Sequence, residues 1–343
     1  MACFGVRIFA SLPWLVIPRR RGAALLGGLL LAGIGAPLVA APAPPAPSAK
    51  PSALPIAKPT ALPIAKPTAA LQGYAHNETA SLVHFVEQAA AEIAARGEAS
   101  FDDFRRPGGP WLEGDRYLFV WDLEGNRYVY PPDIEHESGN QLEMQDFTGR
   151  AVGRMLVEQA SSAAGRGWVH YQWRRTNRDD RRPVWKSSYV MRVTAPSGRT
   201  YLVGSGLYES PIEKAFVVQE VDAAAELLER RGRAAFPLLR DPRGRFWFHE
   251  TYVFVDTPQG VELVNPAFAS VEGRNILGLR DAEGRPMVKE YIDQAMRRGS
   301  GWTTYLWPRP DGSRTPVRKT TYVRRVQTPD GETLIVGAGL YEP

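Results

Sequence analysis

Cysteine is almost missing: 343 residues contain one, Cys3. Beyond that position the chain has no disulfide, no thiol nucleophile and no zinc cluster of the cysteine type. An oxidising compartment is permitted but not required. Acidic residues are missing from 1–72, where Arg7, Arg19, Arg20, Arg21, Lys50, Lys58 and Lys66 stand without a counter-charge. The formal charge of +5 therefore belongs to the N-terminal part, and 73–343 carries a net −2. A phosphate-binding surface is not indicated, and nucleic acid is not an expected partner. After residue 41 there is no second long apolar run. There is also no Walker loop, no H-E-x-x-H and no G-x-S-x-G. The five histidines (His76, His84, His136, His170, His249) share no metal-ligand spacing, and the cluster at Glu135–Glu137 reads as a solvated polar loop. No catalytic group, cofactor or metal is expected, and the chain does not read as an enzyme.

What is present begins with three arginines, 19–21, followed by the uncharged run 22–41. This is the n-region and h-region of an export signal. Its 20 residues, at 1.5 Å each, would also span a hydrocarbon core of about 30 Å. Residues 1–41 are thus a cleaved signal peptide or a retained anchor, and either one exports the rest of the chain. The domains are expected in the periplasm or secreted, or anchored at the inner membrane and facing out of the cytoplasm. In 42–72, "ALPIAKPT" occurs at 53–60 and again at 61–68. Prolines this dense favour extended polyproline II, so the segment reads as a semi-rigid spacer.

The remainder is one module written twice. An offset of 135 places Val86 on Val221, Gly97 on Gly232, Tyr117 on Tyr252, Gly125 on Gly260, Asn140 on Asn275 and Asp146 on Asp281. Two single deletions bring Trp168 onto Trp302, Lys186 onto Lys319, and "VGSGLYES" at 203–210 onto "VGAGLYEP" at 336–343. Two copies of this size make two domains, 73–210 and 211–343, rather than a solenoid. Each opens on an amphipathic helix. In copy one, Leu82, Phe85, Val86, Ala89, Ala90 and Ile93 recur at helical spacing, and Gly97 closes it. Copy two's helix stops at Gly232 and comes almost directly after copy one's last strand, which predicts rigid coupling. A hairpin around Gly125 or Gly260 comes next, then a second helix (about 149–164 and 284–298), then three β segments. This is an α+β domain: an antiparallel sheet covered by helices on one side.

Within copy two, E-G-x-N-x-L-x-L-x-D-x-x-G from 272, G-x-G-W-x-x-Y-x-W-P to 308, the K-x-x-Y-V strand from 319 and the closing G-x-G-L-Y resemble a Cache domain of the small single-module kind. Copy one resembles it less closely, with Glu143 at the position of Gly278 and "RRTNRDDRRP" in place of "PRPDGSRTP". The resemblance implies two tandem PAS-like Cache domains, each a long N-terminal helix plus an antiparallel sheet with a covering helix. Such modules are the extracytoplasmic sensors of chemoreceptors and histidine kinases, and bind small carboxylates or similar metabolites.

A desolvated anion needs a fixed cation, hydroxyl donors and aromatic walls. Tyr305, Trp307, Lys319 and Tyr322 supply that chemistry in copy two, and Tyr171, Trp173, Lys186 and Tyr189 in copy one. Residues three apart on a regular strand face opposite sides, so Lys319 and Tyr322 share a pocket only across a bulge. Trp168 and Trp302 read as core, Asn140 and Asn275 as loop-backbone partners, Asp146 and Asp281 as turn or N-cap residues. Ser205, between two glycines, reads as a packing residue because Ala338 replaces it in copy two. Many members of the family carry a His where Tyr130 and Asn265 stand, which implies a different ligand or an empty pocket here. Copy two keeps more of the pattern and is the expected working site. The expectation is an exported ligand-binding sensor without its own output domain, signalling through a membrane receptor or kinase. The alternative is a structural or protein-interaction module of the envelope with degenerate pockets.

Overall fold

The computed structural model describes residues 73–135, 137–175 and 182–342. The expected export segment 1–41, the spacer 42–72, His136 of the acidic loop cluster, residues 176–181 of the "RRTNRDDRRP" segment and Pro343 lie outside the described residues. No described helix is long and apolar enough to cross a membrane.

Helix α1 (Asn77–Arg96) buries Leu82, Phe85, Val86, Ala89, Ala90 and Ile93 along one stripe and ends at Gly97. Strands β1 (Phe119–Asp122) and β2 (Asn126–Val129) form the hairpin. Gly125 turns it at φ 90°, where a Cβ would also lie 2.8 Å from that of Leu142. After β3 (Gly139–Asn140) and α2 (Val152–Ser161) come β4 (Arg166–Trp173), β5 (Val184–Thr194) and β6 (Thr200–Tyr208). The sheet is antiparallel in the order β3-β2-β1-β6-β5-β4.

Copy two repeats the plan with α3 (Lys214–Arg231), β7 (Phe254–Asp256), β8 (Glu262–Val264), α4 (Met287–Arg298), β9 (Ser300–Pro308), β10 (Pro316–Gln327) and β11 (Thr333–Tyr341). Its five-stranded sheet runs β8-β7-β11-β10-β9.

The helices do not share one side of the sheet. The long helix covers one face and the short helix the other, because both parities of the central strands are apolar. In β6, Tyr201 and Val203 face α1, while Leu202 joins the core beneath α2 with Val190 of β5. Helices α2 and α4 start later than the sequence suggests. The preceding residues form a turn in which Asp146 Oδ1 accepts from Thr148 N (2.7 Å) and Arg150 N (3.0 Å). Asp146 Oδ2 accepts from Gln172 N at 2.8 Å, pinning the turn to β4, and Asp281 does the same with Leu306 N at 3.1 Å. Both are turn residues rather than N-caps. Asn140 and Asn275 hold the hairpin loops, donating to Glu124 O and Gln259 O at 2.8 and 2.9 Å.

The copies are locked through α3. Its Val217, Val221, Ala224 and Leu228 fill copy two's core, whereas Phe216 enters copy one's, 4.6 Å from Trp168 ring to ring. Gln219 pairs with both backbone groups of Trp168 (2.7 and 2.8 Å), continuing the edge of β4. Arg150 donates to Gly244 O and Pro242 O, and His170 stacks on Phe248 at 3.9 Å.

Candidate functional site

Each copy holds a small cavity between its sheet and the short helix. The two lie at matching positions, each about 20 Å³, room for roughly one water. Cross-strand register builds the walls: Tyr171 stands opposite Lys186, and Tyr305 opposite Lys319. Tyr171 with Trp173, and Tyr305 with Trp307, line the two cavities from β4 and β9. Tyr171 OH shares a 2.8 Å hydrogen bond with Ser188 Oγ, and Thr321 Oγ1 donates to Tyr305 OH at 3.0 Å.

Both lysines are almost fully buried. Lys186 Nζ donates to Tyr117 OH (2.8 Å) and Tyr208 OH (3.3 Å) and lies over both rings. Lys319 Nζ donates to Tyr252 OH at 2.9 Å and lies over the rings of Tyr252 and Tyr341. Burial pulls both ammonium groups down to about 7, with Asp115 near Lys186 and Glu262 near Lys319 opposing that shift. Lys319 lines its cavity directly, and Lys186 reaches its own through Tyr117.

Tyr189 and Tyr322 do not join these groups. Strands β5 and β10 run without a bulge there, so a residue three from the lysine faces the long helix. Tyr189 packs 5.2 Å from Trp168 beneath α1, and Tyr322 5.2 Å from Trp302 beneath α3. Ser205 Oγ donates to Tyr117 O at 2.7 Å and is not part of the lining of copy one's cavity.

A bulge does occur in each hairpin, and it decides the electrostatics. Val129 pairs with Val120 but Arg127, not Tyr128, pairs with Trp121. Likewise Val264 pairs with Val255 and Glu262 pairs with Asp256. The extra residue turns Arg127 and Glu262 to the cavity side, while Val129 and Val264 face the long helix. Tyr130 and Asn265 line the cavities as well.

Copy one thus presents Arg127, whose Nε donates to Glu137 O at 2.6 Å and whose guanidinium lies 4.3 Å from the Tyr130 ring centroid. Its lining includes no carboxylate. Copy two presents Glu262, which accepts from Asn265 Nδ2 at 2.7 Å, and behind it the fully buried Asp256. Asp256 Oδ2 accepts from Tyr291 OH at 2.6 Å, and Asp256 stands directly opposite Glu262 in the hairpin. Burial raises the Asp256 carboxyl to about 7, and burial together with Asp256 raises Glu262 well above the usual range.

The loop acid Glu137 is paired rather than solvated. Arg105 Nε donates to it at 2.7 Å, and it accepts from Tyr130 N. Arg240 and Glu272 repeat this arrangement on Asn265 N, so the pair fixes the backbone of the cavity residue. Among the described residues no group of three His, Cys, Asp or Glu side chains is placed to hold a metal ion.

A family model described as Single Cache domain 2 matches residues 88–221, and one described as Cache domain matches residues 229–342. No curated protein matches the chain. Among solved structures, the periplasmic sensor domain of a chemotaxis protein is 30% identical over 37% of this chain and 88% of that one, at a TM-score of 0.30. A Cache chemosensory domain described for carboxylic acid recognition is 25% identical over 37% and 91%, with a TM-score of 0.30. A methyl-accepting chemotaxis protein from Vibrio parahaemolyticus is 24% identical over 36% and 82%, also at 0.30.

Proposed function

The chain belongs to the Cache family, carrying two Cache domains in tandem, and from this we propose that it is an extracytoplasmic small-molecule sensor. Cache domains are ligand-binding modules rather than catalysts. The modules are 73–210 and 211–343, exported by the segment before them to the periplasm or beyond. The observation that carries the reading is the repeated cage: a buried lysine held on tyrosine hydroxyls beside an aromatic-walled cavity. Retaining a cation without water costs several kcal/mol unless a partner compensates, and a ligand anion in the adjoining cavity would supply that partner.

Copy one, with Arg127 and no carboxylate in its lining, has the chemistry for a small carboxylate. This moves the expected carboxylate site from copy two to copy one. The 20 Å³ of free space requires the short helix or the hairpin loop to give way as ligand enters. Readout passes to a receptor or kinase partner, with α3 as the element shared by both cores.

The test is a thermal-shift series on the full chain against short-chain carboxylates, hydroxy acids, amino acids and purines. A saturable rise in melting temperature supports sensing. A flat response across the panel sinks it and favours an interaction module of the envelope.

A further inference from the structure

We propose that the two copies take ligands of opposite charge: copy one an anion, and copy two a small ligand whose ammonium group is held by Glu262, with the charge of Asp256 behind it. The inference rests on the sensing function proposed above and adds the ligand class of the second site.

The two cavities occupy equivalent positions in one duplicated module. Tyr117 and Tyr252, Lys186 and Lys319, Tyr171 and Tyr305, Trp173 and Trp307 are the same in both. The residues that the hairpin bulge turns inward are not. Trp121 becomes Asp256 and Arg127 becomes Glu262, so one position gains a negative charge and the other reverses its sign. Tyr130 becomes Asn265, which holds Glu262 in place at 2.7 Å, and Leu156 becomes Tyr291, which holds Asp256 at 2.6 Å. Each new acid has thus gained its own orienting donor.

Two carboxylates directly opposite on neighbouring strands repel each other. Burying them is costly unless a cation or a proton compensates. Lys319 supplies one positive charge against two acids, of which Asp256 is fully buried behind Glu262. The uncompensated acid calls for one further cationic donor at the wall formed by Glu262. An ammonium group is small enough for that space and carries three donors. Lys319, on β10, lines the same cavity and has donors to spare for a carboxylate, so a zwitterionic amine satisfies both ends. Until such a ligand enters, the acid pair keeps a proton between them, in line with the raised titration of both groups.

The test is calorimetric titration of the full chain with propionate, ethylamine and L-alanine, which share a short alkyl group and differ in charge. Ethylamine and L-alanine should bind with release of up to about one proton at pH 7, read from the buffer dependence of the heat. Glu262→Gln and Asp256→Asn should weaken both by at least about ten-fold and leave propionate within about two-fold. Arg127→Gln should do the reverse. Melting temperatures of the two acid variants at pH 7 should not fall, since each removes a buried repulsion.

If propionate binds but no ammonium ligand does, the division of charge is wrong. The same holds if both acid variants leave ethylamine and L-alanine affinities intact. If no probe of either charge binds, the sensing function itself fails, and this proposal with it.

Discussion

Gly339 lies against the stem of Lys319: a Cβ there would sit 2.7 Å from Lys319 Cε and 2.6 Å from Thr321 Oγ1. Gly206 stands in the same relation to Lys186 Cε and Ser188 Oγ, at 2.5 and 2.4 Å. The repeated "VG[SA]GLY" on the last strand of each copy is thus shaped by the lysine it must let pass. The neighbouring glycines, Gly204 and Gly337, leave room for the rings of Phe119 and Phe254 in the same way.

Gly339→Ala should therefore act on the cage before it acts on the fold. The lysine stem is confined between Tyr252 and Tyr341, so it cannot swing aside without breaking its 2.9 Å hydrogen bond. Overpacking of this kind costs about 1–3 kcal/mol. We expect a lower melting temperature and loss of ligand binding in copy two, with binding in copy one unchanged. Calorimetry with one ligand for each cavity reads both, and an unaltered copy-two affinity would show that the lysine is not held as described.

Asp256 gives stability a pH dependence whose sign is fixed. Its folded-state value of about 7 lies above the ordinary 3.8, so the fold holds a proton that the unfolded chain gives up. That stabilisation is complete below about pH 4 and is lost as pH rises through 7, a loss of a few kcal/mol by pH 8. Asp256→Asn removes this group's titration and relieves the part of the rise at Glu262 that Asp256 causes. Its melting temperature should match or trail the wild type near pH 4 and exceed it by several degrees at pH 8. The Lys319 titration above pH 7 affects the wild type and this variant in the same direction and largely cancels in the comparison. A constant difference across this range would show that Asp256 ionises normally.

Much of this is legible in the sequence. The duplication, the order of elements, the structural roles of Asn140, Asn275, Asp146 and Asp281, and the pairing of Tyr305 with Trp307 all follow from spacing. Strand parity already separates Lys319 from Tyr322. Three things are hidden. A bulge shifts register by one residue, and nothing in "NRYV" or "VELV" marks it, so the sequence does not assign Arg127 and Glu262 a face. The acids also escape any reading of the copies for their matches. Their signal lies in a mismatch: Asp256 ends an otherwise apolar strand at the place where copy one has Trp121. The double membership of α3 is out of reach as well, since Phe216 belongs to the same apolar stripe whichever core it enters.

Glu213 is the residue through which the N-terminal segment meets the junction. It precedes α3, is almost fully buried, and accepts from Ala75 N (2.8 Å), His76 N (2.9 Å) and the His76 ring (2.9 Å). Tyr74 adds to the same tie through a 3.1 Å hydrogen bond from Trp168 Nε1. Hydrogen bonds to a charged acceptor are worth about 1.5–3 kcal/mol, and removing the acceptor leaves two backbone donors unpaired. Glu213→Ala should free residues 74–80 from the body of the protein. Hydrogen exchange there should rise at least about ten-fold while β10 and β11 stay protected. If protection at 74–80 is unchanged, the start of α1 is held by its own packing and the carboxylate is incidental.

Phe216 tests whether the two copies unfold as one. It lies on copy two's helix but in copy one's core, fully buried against Trp168 and 4.8 Å from the His170 ring. Truncating a buried phenylalanine costs about 3–5 kcal/mol. If α3 couples the cores, the wild type melts in a single cooperative transition and Phe216→Ala splits it, copy one melting first. Calorimetry against the van't Hoff enthalpy distinguishes one transition from two. Leu228→Ala, at the far end of the same helix and in copy two's core alone, is the control and should leave copy one's cavity intact. Two transitions in the wild type, with Phe216→Ala lowering only one, would mean that α3 joins the copies without coupling them. A signal would then have to leave each copy separately.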